Sequence, residues 1–242
     1  MKLSVLQWNV WFKENADNIL SFIKEIDADV VCLQELTTTS QTNPQRNLPE
    51  EIDGLGYRHA FTETIQSSDL CMGNGVFSKF PIEKFRQAHI QHEDPQSNDF
   101  SSENRIYVEA TLRINQKELT IGTVHMSYTD RFIVTERKQR ELDALVAVIT
   151  PNSRNFILTG DLNATPESMI VKNLQELLVS TGPDYDKASW TTKPFSYNGF
   201  EASTLDWRLD YIFTTPDIKV LESKIVNTDY SDHLPILATI EV

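Results

Sequence analysis

The chain has 242 residues, 40% hydrophobic and 24% charged, with a formal net charge of −13 at pH 7. Length and composition fit one soluble globular domain, residues 1–242, with enough chain to bury a full core. The acidic balance argues against a non-catalytic nucleic-acid-binding module, which grips phosphates through a basic face.

Two cysteines, Cys32 and Cys71, form neither a disulfide framework nor a zinc site by themselves. No apolar run approaches the about 18 residues of a membrane-spanning helix. The first residues, MKLSVLQWNVWFKEN, lack the apolar stretch of an export signal, so a cytoplasmic monomer is the expectation.

In chain order, Leu3 and Val5 alternate with Leu6 and Trp8 as a strand that is apolar on both faces. Ile19, Leu20, Phe22, Ile23 and Ile26 follow at helical spacing, with Asp17 as N-cap. DADVVCLQE reads as a turn and a buried strand, closing a β-α-β unit. Residues 37–53 read as a loop holding Pro44 and Pro49, with room for a short helix after Leu48. Residues 57–64 and 75–85 read as strands, and 88–104 as a mobile loop. Residues 105–114 and 118–125 alternate as hairpin arms around Asn115 and Gln116. A helix is expected over 134–149 and a strand at NFILTGDLN. A third helix is expected from Thr165 and Pro166, a sound cap and first-turn pair. Residues 181–207 read as a long polar-aromatic loop, and RLDYIFTT and LPILATIEV as closing strands. Strands alternating with helices, and hairpins between them, predict an α/β (α+β) protein: one mixed sheet, or two packed sheets with helices outside.

Polar residues sit where these strands run out. Asn9 ends the first strand, Glu35 the second, His125 the hairpin arm, and Asp161 with Asn163 the next strand. Asp210 lies inside RLDYIF, and Asp232 and His233 precede the last strand. Ligands in α/β sheets collect outside strand ends. Taken singly, Glu35 reads as a surface carboxylate, His125 as hydrogen-bonded filler and Asp232-His233 as a solvated turn. Asp210 is harder to dismiss, because a carboxylate in an apolar strand needs a partner. Taken as a set, they describe an oxygen-rich pocket suited to Mg²⁺ or Mn²⁺ and short of the Cys/His spacing of zinc. A nucleophile elbow, a Walker loop and a GxGxxG fingerprint are all absent, which leaves Ser127 and Ser231 unsupported as nucleophiles. Such a pocket suits phosphoester hydrolysis. A cation offsets phosphoryl charge, a carboxylate-oriented imidazole activates or orients water, and a second imidazole or amide hydrogen-bonds the transition state. Arg46, Arg105 and Arg131 are candidate phosphate contacts. Trp190 and Trp207, with Phe195, Tyr197 and Phe200 in the same loop, are candidates for stacking on a base or for pinning the loop.

The segments LQWNVW, VVCLQE, TVHMS, GDLNATP, WRLDYIF and YSDHLP, in this order, resemble the endonuclease/exonuclease/phosphatase superfamily from about Leu3 to Val242. The resemblance implies a four-layer α/β/β/α sandwich of two packed mixed sheets with helices outside. It implies a Mg²⁺- or Mn²⁺-dependent hydrolase in which activated water attacks a phosphoester in line. Glu35 is then the main metal ligand with Asn9 beside it, and Asp232 an acid near a second metal position. Asp161 and Asn163 position or deprotonate the water, Asp210 orients His233, and His233 is base or transition-state stabiliser. His125 is general acid or oxyanion donor. Beside such a site, Arg105, Trp190 and Trp207 stay the candidates for substrate contact. Whether Asp161 or the Asp210–His233 pair is the base stays open. Apurinic/apyrimidinic endonucleases carry Tyr where this chain has His125, which argues against abasic-site repair. Nucleic acid, lipid head groups and sugar phosphates all stay candidate substrates. The competing reading is a catalytically inactive binding protein on the same fold.

Overall fold

The computed structural model describes residues 1–96 and 102–242. Fourteen strands and four α-helices follow one another along the described residues. The first part runs β1 (Lys2–Asn9), α1 (Ala16–Ile26), β2 (Val30–Thr39), α2 (Leu48–Asp53), β3 (Arg58–Gln66), β4 (Cys71–Ser78) and β5 (Ile82–Gln91). The second continues with β6 (Arg105–Ile114), β7 (Lys117–His125), α3 (Glu136–Ile149), β8 (Phe156–Asp161), α4 (Met169–Leu177) and β9 (Val179–Ser180). It closes with β10 (Phe195–Tyr197), β11 (Phe200–Ala202), β12 (Asp210–Thr214), β13 (Lys219–Ile225) and β14 (Ile236–Glu241).

Two six-stranded sheets carry the fold, in the orders β13-β14-β1-β2-β4-β3 and β5-β6-β7-β8-β12-β9. Each is mixed: β1 and β2 pair in parallel in the first, β7 and β8 in the second, and their other pairings are antiparallel. Three stacked apolar layers follow from the period-2 alternation of the central strands. Leu3 and Val5 of β1 meet Val108, Ile121 and Ile157 between the sheets. Leu6 and Trp8, on the opposite face of β1, pack under Ile19 and Phe22 of α1 and Ile52 of α2. Leu158 and Phe213 pack under Leu142 and Leu145 of α3 and Ile170 and Leu174 of α4. The expected four-layer α/β/β/α sandwich is therefore present, and each such buried side chain contributes roughly 1.5–3 kcal/mol.

Several boundaries differ from expectation. Asn15, not Asp17, caps α1: its Oδ1 accepts the Asp17 N–H at 2.8 Å. The third helix starts at Met169 with Ser168 as cap, after a turn at Thr165–Pro166. The run 75–85 spans two strands, broken at Lys79–Pro81, and residues 88–91 belong to β5 rather than to a loop. Residues 97–101 of that expected mobile loop lie outside the described residues. The loop 181–207 contains the small β10–β11 hairpin, and β13 was not foreseen. Among the described residues, no helix is long and apolar enough to cross a membrane.

Candidate active site

The site grows out of the inter-sheet layer. On β1 the inward face reads Leu3, Val5, Gln7, Asn9, and on β2 Val30, Cys32, Gln34. On β7 it reads Ile121, Thr123, His125, and on β8 Ile157, Thr159, Asp161. In each case an apolar face turns polar towards the C-terminal end of its strand, and all these polar residues are buried. Buried polar groups must find partners, and here they find them across the sheets. Gln34 Nε2 donates to Gln7 Oε1 at 3.0 Å and to Thr123 Oγ1 of the opposite sheet at 2.8 Å. Sequence reasoning missed Gln7 and Thr123 as supports, although a polar residue on an apolar strand face was the signal.

His233 and Asp210 meet as expected. The imidazole Nδ1 lies 2.8 Å from Asp210 Oδ2, and both side chains are buried. Ser189, which sequence reasoning missed, donates its hydroxyl to the same Oδ2 at 2.7 Å. Its Oγ accepts the backbone N–H groups of Leu209 and Asp210 at 3.1 and 3.2 Å. With Nδ1 tied, Nε2 of His233 faces Asp161 Oδ2 at 3.6 Å. Ser231 donates its hydroxyl to Asn9 O and accepts the His233 N–H, so it shapes the turn and offers no nucleophile.

Asp161 Oδ2 is the hub of the site. Asn9 Nδ2 donates to it at 3.1 Å, and His125 Nε2 stands 3.5 Å away. Gly160, just before it, allows β7 and β8 to approach, since a Cβ there would lie 2.2 Å from Val124 O. Asp161 Oδ1 accepts the Asn163 N–H at 2.8 Å. The Asn163 amide nitrogen reaches Met126 O at 3.0 Å and His125 Nε2 at 3.2 Å, so both its hydrogens are committed. Glu35 sits at an irregularity between Leu33 and Leu36 of β2, with φ of 56°. Such a left-handed residue costs energy and re-aims a side chain, here towards the hub. Its carboxylate accepts from Asn9 Nδ2 and from the Phe12 N–H, each at 3.1 Å. Asn9 thus bridges two carboxylates through its nitrogen, while its Oδ1 accepts the Trp11 N–H. That departs from an oxygen-donating metal ligand. Asp232 Oδ2 accepts from Trp190 Nε1 at 3.1 Å.

The electrostatics follow from crowding acids out of water. Burial, then repulsion from Asp232, pushes Glu35 up to about 7. Burial likewise raises Asp161 to about 6 and lifts Asp232 above its ordinary value. Burial alone would lower His233, but the carboxylates of Asp210, Asp161 and Asp232 hold it well above its ordinary value. His125 goes the other way, lowered by burial and by the positive charges of Arg105, His233 and Lys138. Asp161, Asp210 and His233 present ligand atoms within 4.8 Å of one another. Asp210 and His233, however, use theirs on each other. The carboxylates of Glu35, Asp161 and Asp232 all line one cavity, and oxygen donors of this kind suit a hard divalent cation.

A cavity of about 490 Å³ opens above these groups, lined by Glu35, His125, Asp161, Asn163, Asp232 and His233 at its floor. A larger hollow of about 710 Å³ lies beside it and holds none of them. Arg105 lines the cavity, buried and paired with Glu103 at 2.8 Å. Trp190 lines it too, largely buried. Trp207 is not among the lining residues; its ring packs on Phe132 and Phe200 at 4.9 and 6.0 Å. Arg46 pairs with Asp17 and Glu51, and Arg131 with Asp130, and neither lines the cavity. Sequence reasoning also missed Lys138, a buried lysine whose Nζ donates to Ser127 O at 2.7 Å and to Asn163 O.

The sequence matches the family model described as the endonuclease/exonuclease/phosphatase family over residues 6–233. The chain belongs to the endonuclease/exonuclease/phosphatase family. Endonuclease/exonuclease/phosphatase members are also its structural neighbours. An endonuclease/exonuclease/phosphatase from Beutenbergia cavernae superposes with a TM-score of 0.80 at 20% identity, over 100% of this chain and 72% of that one. The human nocturnin catalytic domain with bound sulfate superposes with a TM-score of 0.72 at 18% identity, covering 99% and 94% of the two chains. A mannosyl-6-phosphatase from Bacteroides thetaiotaomicron gives a TM-score of 0.72 at 16% identity, covering 99% and 100%. No curated protein matches the sequence. Membership in the endonuclease/exonuclease/phosphatase family makes phosphoester hydrolysis the general class of its activity.

Proposed function

We propose that the protein is a Mg²⁺- or Mn²⁺-dependent phosphoester hydrolase whose reacting groups converge on Asp161 Oδ2. The observation that carries this reading is that hub: one carboxylate oxygen within 3.1–3.6 Å of Asn9, His125 and His233, the last fixed by Asp210. Glu35 is the main carboxylate for a divalent cation, with Asp161 and Asp232 beside it. Desolvation raises the pKa of all three against the pull of His233, as it does for acids withdrawn from water. When bound, the cation supplies charge neutralisation at the phosphoryl oxygens.

The chain's own residues divide the remaining work. His233 carries its proton at neutral pH, so its Nε2 donates to a phosphoryl oxygen as the negative charge grows. Asp161, facing that donor, accepts a proton from the attacking water. Asn163 has spent both amide hydrogens, so it offers that water only its oxygen. His125 is neutral and accepts from Asn163, which makes it a support for Asn163 rather than a proton source. Arg105 adds positive charge at the cavity wall. The same reading takes residues 1–242 as one catalytic domain working as a monomer.

The test is turnover of bis(4-nitrophenyl) phosphate with Mg²⁺ or Mn²⁺, abolished by chelation. Glu35→Ala and His233→Ala should each lower kcat/KM by about 100-fold or more. Full activity in either purified variant would overturn the assignment. Metal binding without turnover of any phosphoester would favour a binding protein on the same fold.

A further inference from the structure

The floor of the cavity is polar, but its walls are largely apolar. Trp11 and Phe12 come from the turn after β1, Leu70 from the connection into β4, Met72 from β4 itself, and Phe195 and Tyr197 from β10. All four of these aromatic residues are only half-buried. Both aromatic walls are built onto the floor. The Phe12 N–H donates to Glu35 at 3.1 Å. Phe195 packs against Trp190 with ring centroids 5.1 Å apart, and Trp190 donates to Asp232. Half-covered aromatic surface next to a phosphoryl site is best satisfied by a flat apolar group on the substrate itself.

Size and charge limit that substrate. A volume of about 490 Å³ falls within the roughly 300–1,000 Å³ typical of small-molecule sites. The cavity continues past Ile65 and Glu103 into the neighbouring hollow of about 710 Å³, which both residues also line. Glu50, Glu63, Glu93 and Glu103 line that hollow, and among the described residues no Lys or Arg does. A polynucleotide running into that hollow would lay its phosphates against those carboxylates, where binding instead needs a run of cations. Besides the charged imidazole of His233, the cavity has three cationic side chains, Lys13, Arg105 and Lys193. That is charge enough for one phosphoryl group and its surroundings, and no track for a chain.

We infer that the site takes a compact phosphoester bearing a flat aromatic group, and not a polynucleotide. The inference rests on the phosphoester-hydrolase reading. Its test uses the full chain with Mn²⁺, turning over bis(4-nitrophenyl) phosphate, with phosphonates as inhibitors whose P–C bond the reaction does not break. Phenylphosphonate should inhibit at about 10-fold lower concentration than methylphosphonate, and also below the puckered cyclohexylphosphonate. Phe195→Leu keeps apolar bulk in the hairpin but removes the ring, and should shrink the phenyl-over-methyl gap to within about 3-fold; Phe195→Ala should do the same. Equal inhibition by the three phosphonates in the unaltered protein would refute the aromatic wall. Faster cleavage per linkage of a long single-stranded oligonucleotide than of a dinucleotide would refute the compact substrate. No metal-dependent turnover of any phosphoester would remove the underlying reading, and this one with it.

Discussion

At the residue scale, the Asp210–His233 pair decides the protonation of the site. Asp210 is fully buried, and its Oδ2 accepts from Ser189 and faces His233 Nδ1. A carboxylate so placed favours the charged imidazole. Asp210→Asn keeps the shape and removes that charge, so the His233 titration should move to lower pH, followed by NMR of the ring protons. At neutral pH, kcat should fall roughly 100-fold or more with KM little changed. An unshifted titration would take Asp210 out of this role. The pair was legible in the sequence because a carboxylate within the apolar run RLDYIF demands a partner, and SDH supplies one. Ser189 was not, because a serine in a polar loop carries no pattern. Nor could the sequence show that Asn9 turns its nitrogen, not its oxygen, towards the two carboxylates.

At the scale of elements, the strands that carry the site were readable and the edges were not. β1, β2, β7 and β8 are buried on both faces, so their apolar runs end visibly at polar residues. β5 and β13 are edge strands with mostly exposed side chains, and their sequences lack a buried face to reveal them. The role of α3 was hidden for another reason: Lys138 reads as a solvated helix residue. Its Nζ instead ties Ser127 O, just past β7, to Asn163 O, just past β8. Glu141, one turn on, accepts the Ser127 N–H at 3.0 Å. Burial lowers the Lys138 ammonium to about 8, yet these carbonyls hold it in place. The helix therefore sets the spacing between His125 and Asp161. Lys138→Met fills the volume and leaves the carbonyls without a donor, costing about 1–3 kcal/mol of stability. The expected signature is a kcat lowered by roughly 10–100-fold, beyond what the modest fall in melting temperature explains, as for other groups that orient a reacting shell. Unchanged kcat in a folded Lys138→Met protein would reduce Lys138 to core filling.

At the scale of the whole molecule, the chain carries an excess of 13 negative charges, and Glu35, Asp161 and Asp232 bring three of its acids to one cavity. Their pKa values are raised in the folded state, so the fold binds those protons more tightly than the unfolded chain does. The metal-free protein therefore gains stability from these groups as pH falls from neutrality towards the ordinary carboxylate range. His233 pushes the same way: its raised pKa gives stability that is full below the unfolded value and is lost as pH rises through the folded one. A divalent cation reverses the trend, because it binds only the deprotonated acids. At about pH 8, Mg²⁺ at about 100 times its Kd should add about 2.7 kcal/mol, or roughly 5–10 °C in melting temperature for a chain of this size. At about pH 5.5, Glu35 (about 7) and Asp161 (about 6) are largely protonated. The same Mg²⁺ concentration should then add less than about 1 kcal/mol. Melting curves with and without Mg²⁺ at the two pH values check this directly. An equal Mg²⁺ increment at both would show that the ion binds elsewhere than at these carboxylates. An increment that shrinks with pH, and disappears in Glu35→Gln at about pH 8, ties the cation to the crowded acids that the two sheets enclose.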